Sequence, residues 1–222
     1  MSLISVFDVL GPNMIGPSSS HTAGADSIAF LAQKMMGEPL KEVEFTLYGS
    51  FAKTYRCHGT DRALLGGVMG FNTDDERIRD SFKIADERGL KYSFIPNDKL
   101  EDIYPNTADI KMTGVSGRVM TIRGESIGGG KVRIVKINGV DVDFTGEYST
   151  VIVIQKDYPG VVAHITKCLS DLGVNIAFMR LFRESKHETA YTIVESDEHV
   201  PMSVRDEILK NENVKDVMIV EP

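Results

Sequence analysis

From Ser149 onward the chain changes periodicity repeatedly, and the order of those changes leaves few folds open. Ser149-Thr150-Val151-Ile152-Val153-Ile154-Gln155 is a β-branched run suited to a buried strand. Asp157-Tyr158-Pro159-Gly160 reads as a turn, with Pro159 placed to open a helix. Val161, Val162, Ile165, Leu169 and Leu172 then form a stripe at 3.6-residue spacing that stops at Gly173. Residues 174–183 read as a strand, 184–187 as a charged turn and 188–195 as a second strand. Pro201 precedes a helix that turns Val204, Ile208 and Leu209 inward, and residues 214–220 close as a strand. The order is βαββαβ within about 75 residues, which predicts a ferredoxin-like unit.

The character of the sequence shifts near Gly146-Glu147-Tyr148, so the expected division is 1–147 and 148–222, in an α+β protein. A chain of 222 residues can bury a core in each part. In the first part, residues 22–36 predict a helix with Ile28, Leu31, Ala32, Met35 and Met36 on its apolar face, stopped at Gly37-Glu38-Pro39. Residues 43–48 alternate as a half-buried strand, and residues 60–69 predict a short helix. Asp74-Asp75-Glu76 is expected to open a longer amphipathic helix ending at Gly89. Strands are expected at 91–95, 108–113, 117–123 and 131–137, with Asn138-Gly139 as a hairpin turn into 140–144.

Bulk properties exclude several classes of function. Hydrophobic residues make up 42% and charged residues 26%, a globular and not a disordered composition. A net charge of -7 argues against a nucleic-acid partner, which needs a clustered basic face. No apolar run approaches the roughly 20 residues of a membrane span. The opening residues show neither a basic leader region nor a small-residue cleavage site, so a cytoplasmic location is expected. The two cysteines, Cys57 and Cys168, lie too far apart to suggest a disulfide scaffold. Nor can two thiols hold an iron–sulfur cluster, which takes three or four.

The densest chemistry is Gly16-Pro17-Ser18-Ser19-Ser20-His21-Thr22-Ala23-Gly24, immediately before the first expected helix. Unpaired N–H groups and the macrodipole at a helix N-terminus favour negative charge, which suits a carboxylate or phosphate. A single capping Ser or Thr would explain one of these residues, not four hydroxyls and an imidazole. A second constellation, Gly49 to Asp61, follows a strand and leads into a helix, placing His58 and Thr60 on another helix-opening loop. Two such loops can face one site. Gly124 to Lys131 imitates a phosphate-binding loop and fails: Glu125 replaces a required glycine, and Val132 stands where Ser or Thr must reach the metal. His21, His58 and Asp61 match no metal-ligand spacing, so no metal is expected on this chain. His164, His187 and His199 read as solvent or packing residues.

Two resemblances extend this reading. Asp-x-Pro-Gly-Val-Val after the first C-terminal strand and Gly-Val-Asn-Ile after the following helix resemble the ACT domain, a regulatory module that commonly binds amino acids between paired copies. That resemblance implies an effector site at Gln155, Asp157 and Asn175, with Asp157 standing where serine-binding relatives carry Asn. An ACT module serving only as a homodimerisation surface is the alternative. Ser5 to Gly24, then Leu47-Tyr48-Gly49-Ser50-Phe51-Ala52-Lys53-Thr54-Tyr55 with His58-Gly59-Thr60-Asp61, then Ser126-Ile127-Gly128-Gly129-Gly130-Lys131, resemble the β chain of bacterial iron–sulfur-dependent L-serine dehydratases. The resemblance runs end to end, and Cys57 departs from the family's usual Gly.

It implies conversion of L-serine to pyruvate and ammonia, together with an α chain that carries the [4Fe–4S] cluster. It further implies His21 and His58 as catalytic candidates, and Ser18, Ser19, Ser20, Thr22 and Thr60 as substrate-binding candidates. The N-terminal part also resembles a regulatory domain of some phosphoglycerate dehydrogenases. A non-catalytic, amino-acid-binding regulatory subunit is therefore the alternative reading.

Overall fold

The computed structural model describes residues 12–97, 99 and 102–222; the opening of the family motif, residues 5–11, lies outside them. The chain divides into two compact units, residues 1–139 and 140–222.

In the first unit a short π-helical turn, Ser19–Ala23, runs directly into α1 (Gly24–Met36). There follow β1 (Leu40–Tyr48), α2 (Gly49–Thr54), α3 (Thr60–Val68), a 3-10 turn (Glu76–Asp80) and α4 (Ser81–Glu87). Four strands complete the unit: β2 (Lys91–Asn97), β3 (Thr107–Gly114), β4 (Val119–Gly128) and β5 (Lys131–Ile137). They are joined in the order β2-β1-β3-β4-β5, with β1 and β2 parallel and the other pairs antiparallel. Asn138 and Gly139, both at positive φ (50° and 85°), turn the chain out of β5, and β6 (Val140–Phe144) follows in sequence.

Period-two alternation places Val43, Phe45, Leu47, Ile110, Met112 and Ile122 inward. The 3.6-residue stripe of α1 sets Ile28, Leu31, Ala32, Met35 and Met36 against the sheet and α3. Each large side chain so buried contributes roughly 1.5–3 kcal/mol. Gly37 ends α1 in the left-handed region, and its N–H returns to the Gln33 carbonyl.

Two expectations for this unit are corrected. The long helix expected from Asp74 to Gly89 is a 3-10 turn followed by a short α-helix, with Asp80, the last residue of the turn, off α-helical geometry (φ −107°, ψ 16°). Asp75 explains the tight start: its carboxylate accepts from the Arg77 N–H and pairs with the Arg77 guanidinium. Residues 49–54, read as part of a loop, form the helix α2.

The second unit contains β7 (Ser149–Lys156), α5 (Val161–Asp171), β8 (Phe178–Arg183), β9 (Thr189–Ser196), α6 (Ser203–Ile208) and β10 (Val214–Val220). Its four-stranded sheet has the order β10-β7-β9-β8 with every pair antiparallel, the ferredoxin-like arrangement expected from sequence. Val151, Val153, Ile165, Leu169, Val194, Val204, Ile208 and Val217 form one core between sheet and helices. The expected strand from residue 174 begins only at Phe178, because the Val174 N–H still bonds back to the Leu169 carbonyl and ties this stretch to the helix end. Among the described residues no helix is long and apolar enough to cross a membrane.

Candidate functional site

Ser18 organises the first loop. It is extended (φ −140°, ψ 124°), its Oγ accepts the His21 N–H at 3.1 Å, and its carbonyl accepts the N–H groups of Thr22 and Ala23 at 2.9 and 3.3 Å. The last of these is the i−5 bond that makes the turn π-helical, a geometry that often accompanies functional sites. Gly24, where α1 begins, has no room for a side chain: an added Cβ would collide with Ser126 of β4. The loop is thus pressed against the sheet.

The second loop begins where β1 ends. Gly49 adopts φ +53°, and a Cβ there would lie 2.6 Å from the Pro105 carbonyl oxygen, so the position requires glycine. The same carbonyl accepts the N–H groups of Ser50 and Phe51 at 2.6 and 3.3 Å, fixing the start of α2. The chain then turns through residues 55–59, with Gly59 left-handed (φ 68°), into α3.

Two crossed hydrogen bonds join these loops. The Thr22 hydroxyl donates to the His58 carbonyl at 2.9 Å, and the Thr60 hydroxyl donates to the His21 carbonyl at 2.7 Å. Thr22 is 3% exposed and Thr60 fully buried. Their hydroxyl protons are thereby committed to the frame.

The braces hold the His21 and His58 rings with centroids 4.9 Å apart and planes inclined at 45°. The Nε2 of His21 lies 2.8 Å from Ser50 Oγ, and its Nδ1 lies 3.0 Å from Ser20 Oγ and 3.5 Å from Ser18 Oγ. Phe51 packs edge-on against the same ring at 5.4 Å. Burial first, and the neighbouring His58 second, hold the His21 imidazole below the ordinary histidine range. A neutral imidazole carries one donor and one acceptor nitrogen, so one neighbouring serine accepts from the ring and another donates to it. His58 has a buried Nδ1 with no hydrogen-bond partner among the described residues.

The structure therefore brings Ser18, Ser20, His21, Thr22, His58 and Thr60 together, with Ser19 in the same turn. Ser50 joins them. It lies in the Gly49-Ser50-Phe51 stretch singled out in the sequence, but reaches His21 only because Gly49 and Pro105 turn α2 toward the first loop.

Among the described residues no three His, Cys, Asp or Glu side chains gather as a metal-binding set. Cys57 is exposed in the first unit and Cys168 buried in the second, both as free thiols, so this chain's residues do not fit a [4Fe–4S] cluster. Gly128 to Gly130, part of the rejected phosphate-loop imitation, turn the chain between β4 and β5 at positive φ.

The three effector candidates of the second unit differ in their surroundings. Asn175 lines a groove of about 650 Å³ with Lys167, Ser170 and Gly173, whereas Gln155 and Asp157 are absent from its wall. Gln155 is 1% exposed in β7, and its Oε1 has no partner among the described residues. The Asp157 carboxylate accepts from the His187 N–H at 3.0 Å and from Arg183 at 3.3 Å, and these contacts hold it below the usual carboxylate range. His164 packs its Nε2 against the carbonyls of Glu207 and Ile208, and His199 faces Glu221 at 3.2 Å.

Comparison with known proteins shows the family. The family described as serine dehydratase beta chain matches residues 5–136. The chain is similar to the L-serine dehydratase beta chain of Peptoniphilus asaccharolyticus, 39% identical over 221 residues that cover all of both chains. It is similar to the probable L-serine dehydratase beta chain of Bacillus subtilis, 37% identical over 214 residues and 96% of each. It also resembles the D-3-phosphoglycerate dehydrogenase of Bacillus subtilis, 30% identical over 198 residues that cover 88% of this chain and 36% of the relative.

Proposed function

We infer the function from one premise: the chain belongs to the serine dehydratase beta-chain family. It is a subunit of a serine dehydratase, a lyase that converts L-serine to pyruvate and ammonia. The purely regulatory alternative is not favoured by relatives that match over their whole length and are named beta chains.

Beyond that premise, the reading is that this chain completes the active site of a cytoplasmic two-chain enzyme. The partner α chain would carry the [4Fe–4S] cluster, in keeping with the two scattered thiols here. The braced pair of histidines carries the argument: two imidazoles held side by side by backbone contacts, one of them kept neutral, are suited to accepting and returning a proton. His21 or His58 takes the α-proton of serine. Ser18, Ser19 and Ser20 hold the substrate, and Thr22 and Thr60 belong to the same wall through their braces. Residues 1–147 form this half-site domain and 148–222 an ACT domain, which pairs with a second copy and takes an amino acid at Asp157 and Asn175, with Gln155 closed off behind them in β7. Calorimetry of the isolated chain with serine tests that last assignment, and the absence of any heat counts against it.

The decisive experiment is anaerobic reconstitution. The chain alone forms no pyruvate, and adding the α chain restores it. His21→Ala or His58→Ala then lowers the rate by about 100-fold or more, the usual contribution of a positioned acid or base. Full activity of both variants overturns the catalytic role.

A further inference from the structure

Beside the histidine loops lies a cleft of about 470 Å³ whose wall takes Thr22 and His58 from the site, but not Ser18, Ser20, His21 or Ser50. Its charged lining is of one sign. Arg56, Arg62 and Arg79 border it, and among the described residues none that line it is acidic. In a chain with 32 acidic against 25 basic residues, such a local excess of cations stands against the overall charge. A concave wall of one sign concentrates counter-ions.

Two features make the cleft a formed site and not a chance meeting of side chains. One wall is pinned, since the Ile15 N–H donates to the Thr73 carbonyl at 2.7 Å and the Thr73 hydroxyl to the Asn13 carbonyl at 2.9 Å. Arg62 is anchored as well, donating from Nη1 to the Arg79 carbonyl at 2.8 Å, which leaves its other donors uncommitted to that bond. Asp61, the carboxylate that Arg56 and Arg62 both influence, does not line the cleft, and its Oδ1 accepts the Arg62 backbone N–H. Ile15, Pro17 and Ile78 supply an apolar floor.

We propose that this cleft binds a small organic carboxylate, with Arg56, Arg62 and Arg79 holding the carboxylate and the Ile15–Pro17–Ile78 floor receiving a short apolar body. Guanidinium forks match a planar carboxylate bidentately. The floor separates an organic acid from inorganic phosphate, which has no apolar part to bury. Because His58 borders the cleft and faces His21, occupancy alters the surroundings of the histidine pair.

The test uses the full-length chain by itself, titrated with butyrate, acetate and inorganic phosphate at constant ionic strength. Binding is followed by calorimetry and by the His58 ring signals in NMR. The expected result is saturable butyrate binding in about the millimolar range, with acetate weaker and phosphate weaker still. Replacing both arginines, Arg56→Gln with Arg62→Gln, weakens butyrate roughly tenfold to a hundredfold, the worth of a charged hydrogen bond. Both positions are exposed, so the circular dichroism spectrum stays unchanged. Absence of saturation by butyrate, phosphate binding tighter than butyrate, or an unchanged affinity in the double variant each overturns the proposal. No turnover is measured, so the result stands apart from the fate of the dehydratase reading.

Discussion

Asp26 sits in the first turn of α1 with 1% exposure, and neither carboxylate oxygen has a hydrogen-bond partner among the described residues. Burial, reinforced by Asp75 and Asp74, raises its pKa to about 8. Below about pH 4 the group is protonated in both the folded and the unfolded chain. Between there and pH 8 only the folded chain keeps the proton. Stability is therefore fully present below the unfolded pKa and falls by about 1.4 kcal/mol per pH unit until the folded pKa is passed. Asp26→Asn removes that slope, so urea unfolding of the two proteins should agree at pH 4 and diverge steadily toward pH 8. Parallel curves would show that the slope arises elsewhere. Gly49→Ala forces a Cβ against Pro105 at φ +53°, which costs about 1–3 kcal/mol and pulls Ser50 from His21. Loss of the Ser50 contact should appear as an upward move of the His21 titration midpoint in NMR if that serine mainly donates to the ring.

At the scale of elements, the crossed braces join the π-helical turn to the start of α3. Thr22→Val or Thr60→Val leaves a carbonyl without its donor in a buried setting and costs about 1–3 kcal/mol each. Because both braces span the same pair of loops, their effects should not add, and a double-mutant cycle by thermal unfolding should give a coupling of about 0.5 kcal/mol or more. A coupling of zero would mean that the braces work independently. Element type and order were largely legible in the sequence, because the stripe of α1 and the alternation of β1 each follow from one buried face. The Asp74–Gly89 segment was not. Its apolar spacing suits a helix of any length, and the carboxylate of Asp75, which tightens the first turn, leaves no mark on that periodicity. The convergence of His21 and His58 was legible from two helix-opening loops rich in hydroxyls and glycine. The place of Ser50 was not, since it depends on the contact between Gly49 and Pro105, some 56 positions apart (105 − 49). Nor did the sequence show that Gln155 would be buried away from the groove holding Asn175, because a side chain on a strand covered on both faces reads like any other.

Across the whole molecule, each compact unit carries one thiol, Cys57 exposed in the first and Cys168 buried in the second. Burial also pushes the Cys168 thiol up, which disfavours the reactive thiolate. A thiol reagent at pH 8 should therefore modify one equivalent quickly and the second only as denaturant opens residues 140–222. Two fast equivalents in the native protein would contradict the burial of Cys168. The C-terminal unit was readable before the N-terminal one because its βαββαβ order is a closed pattern, whereas the first unit pairs β1 with β2 in parallel across three intervening helices and a 3-10 turn. The crossed threonine bonds have one more effect, and it concerns assembly. They fasten backbone to side chain entirely within this polypeptide, so the spacing of the two imidazoles is set before any other subunit arrives. Under the proposed function, a pair of histidines delivered already ordered spares the association with the α chain the conformational entropy of arranging it, and that entropy is a principal cost of joining two proteins.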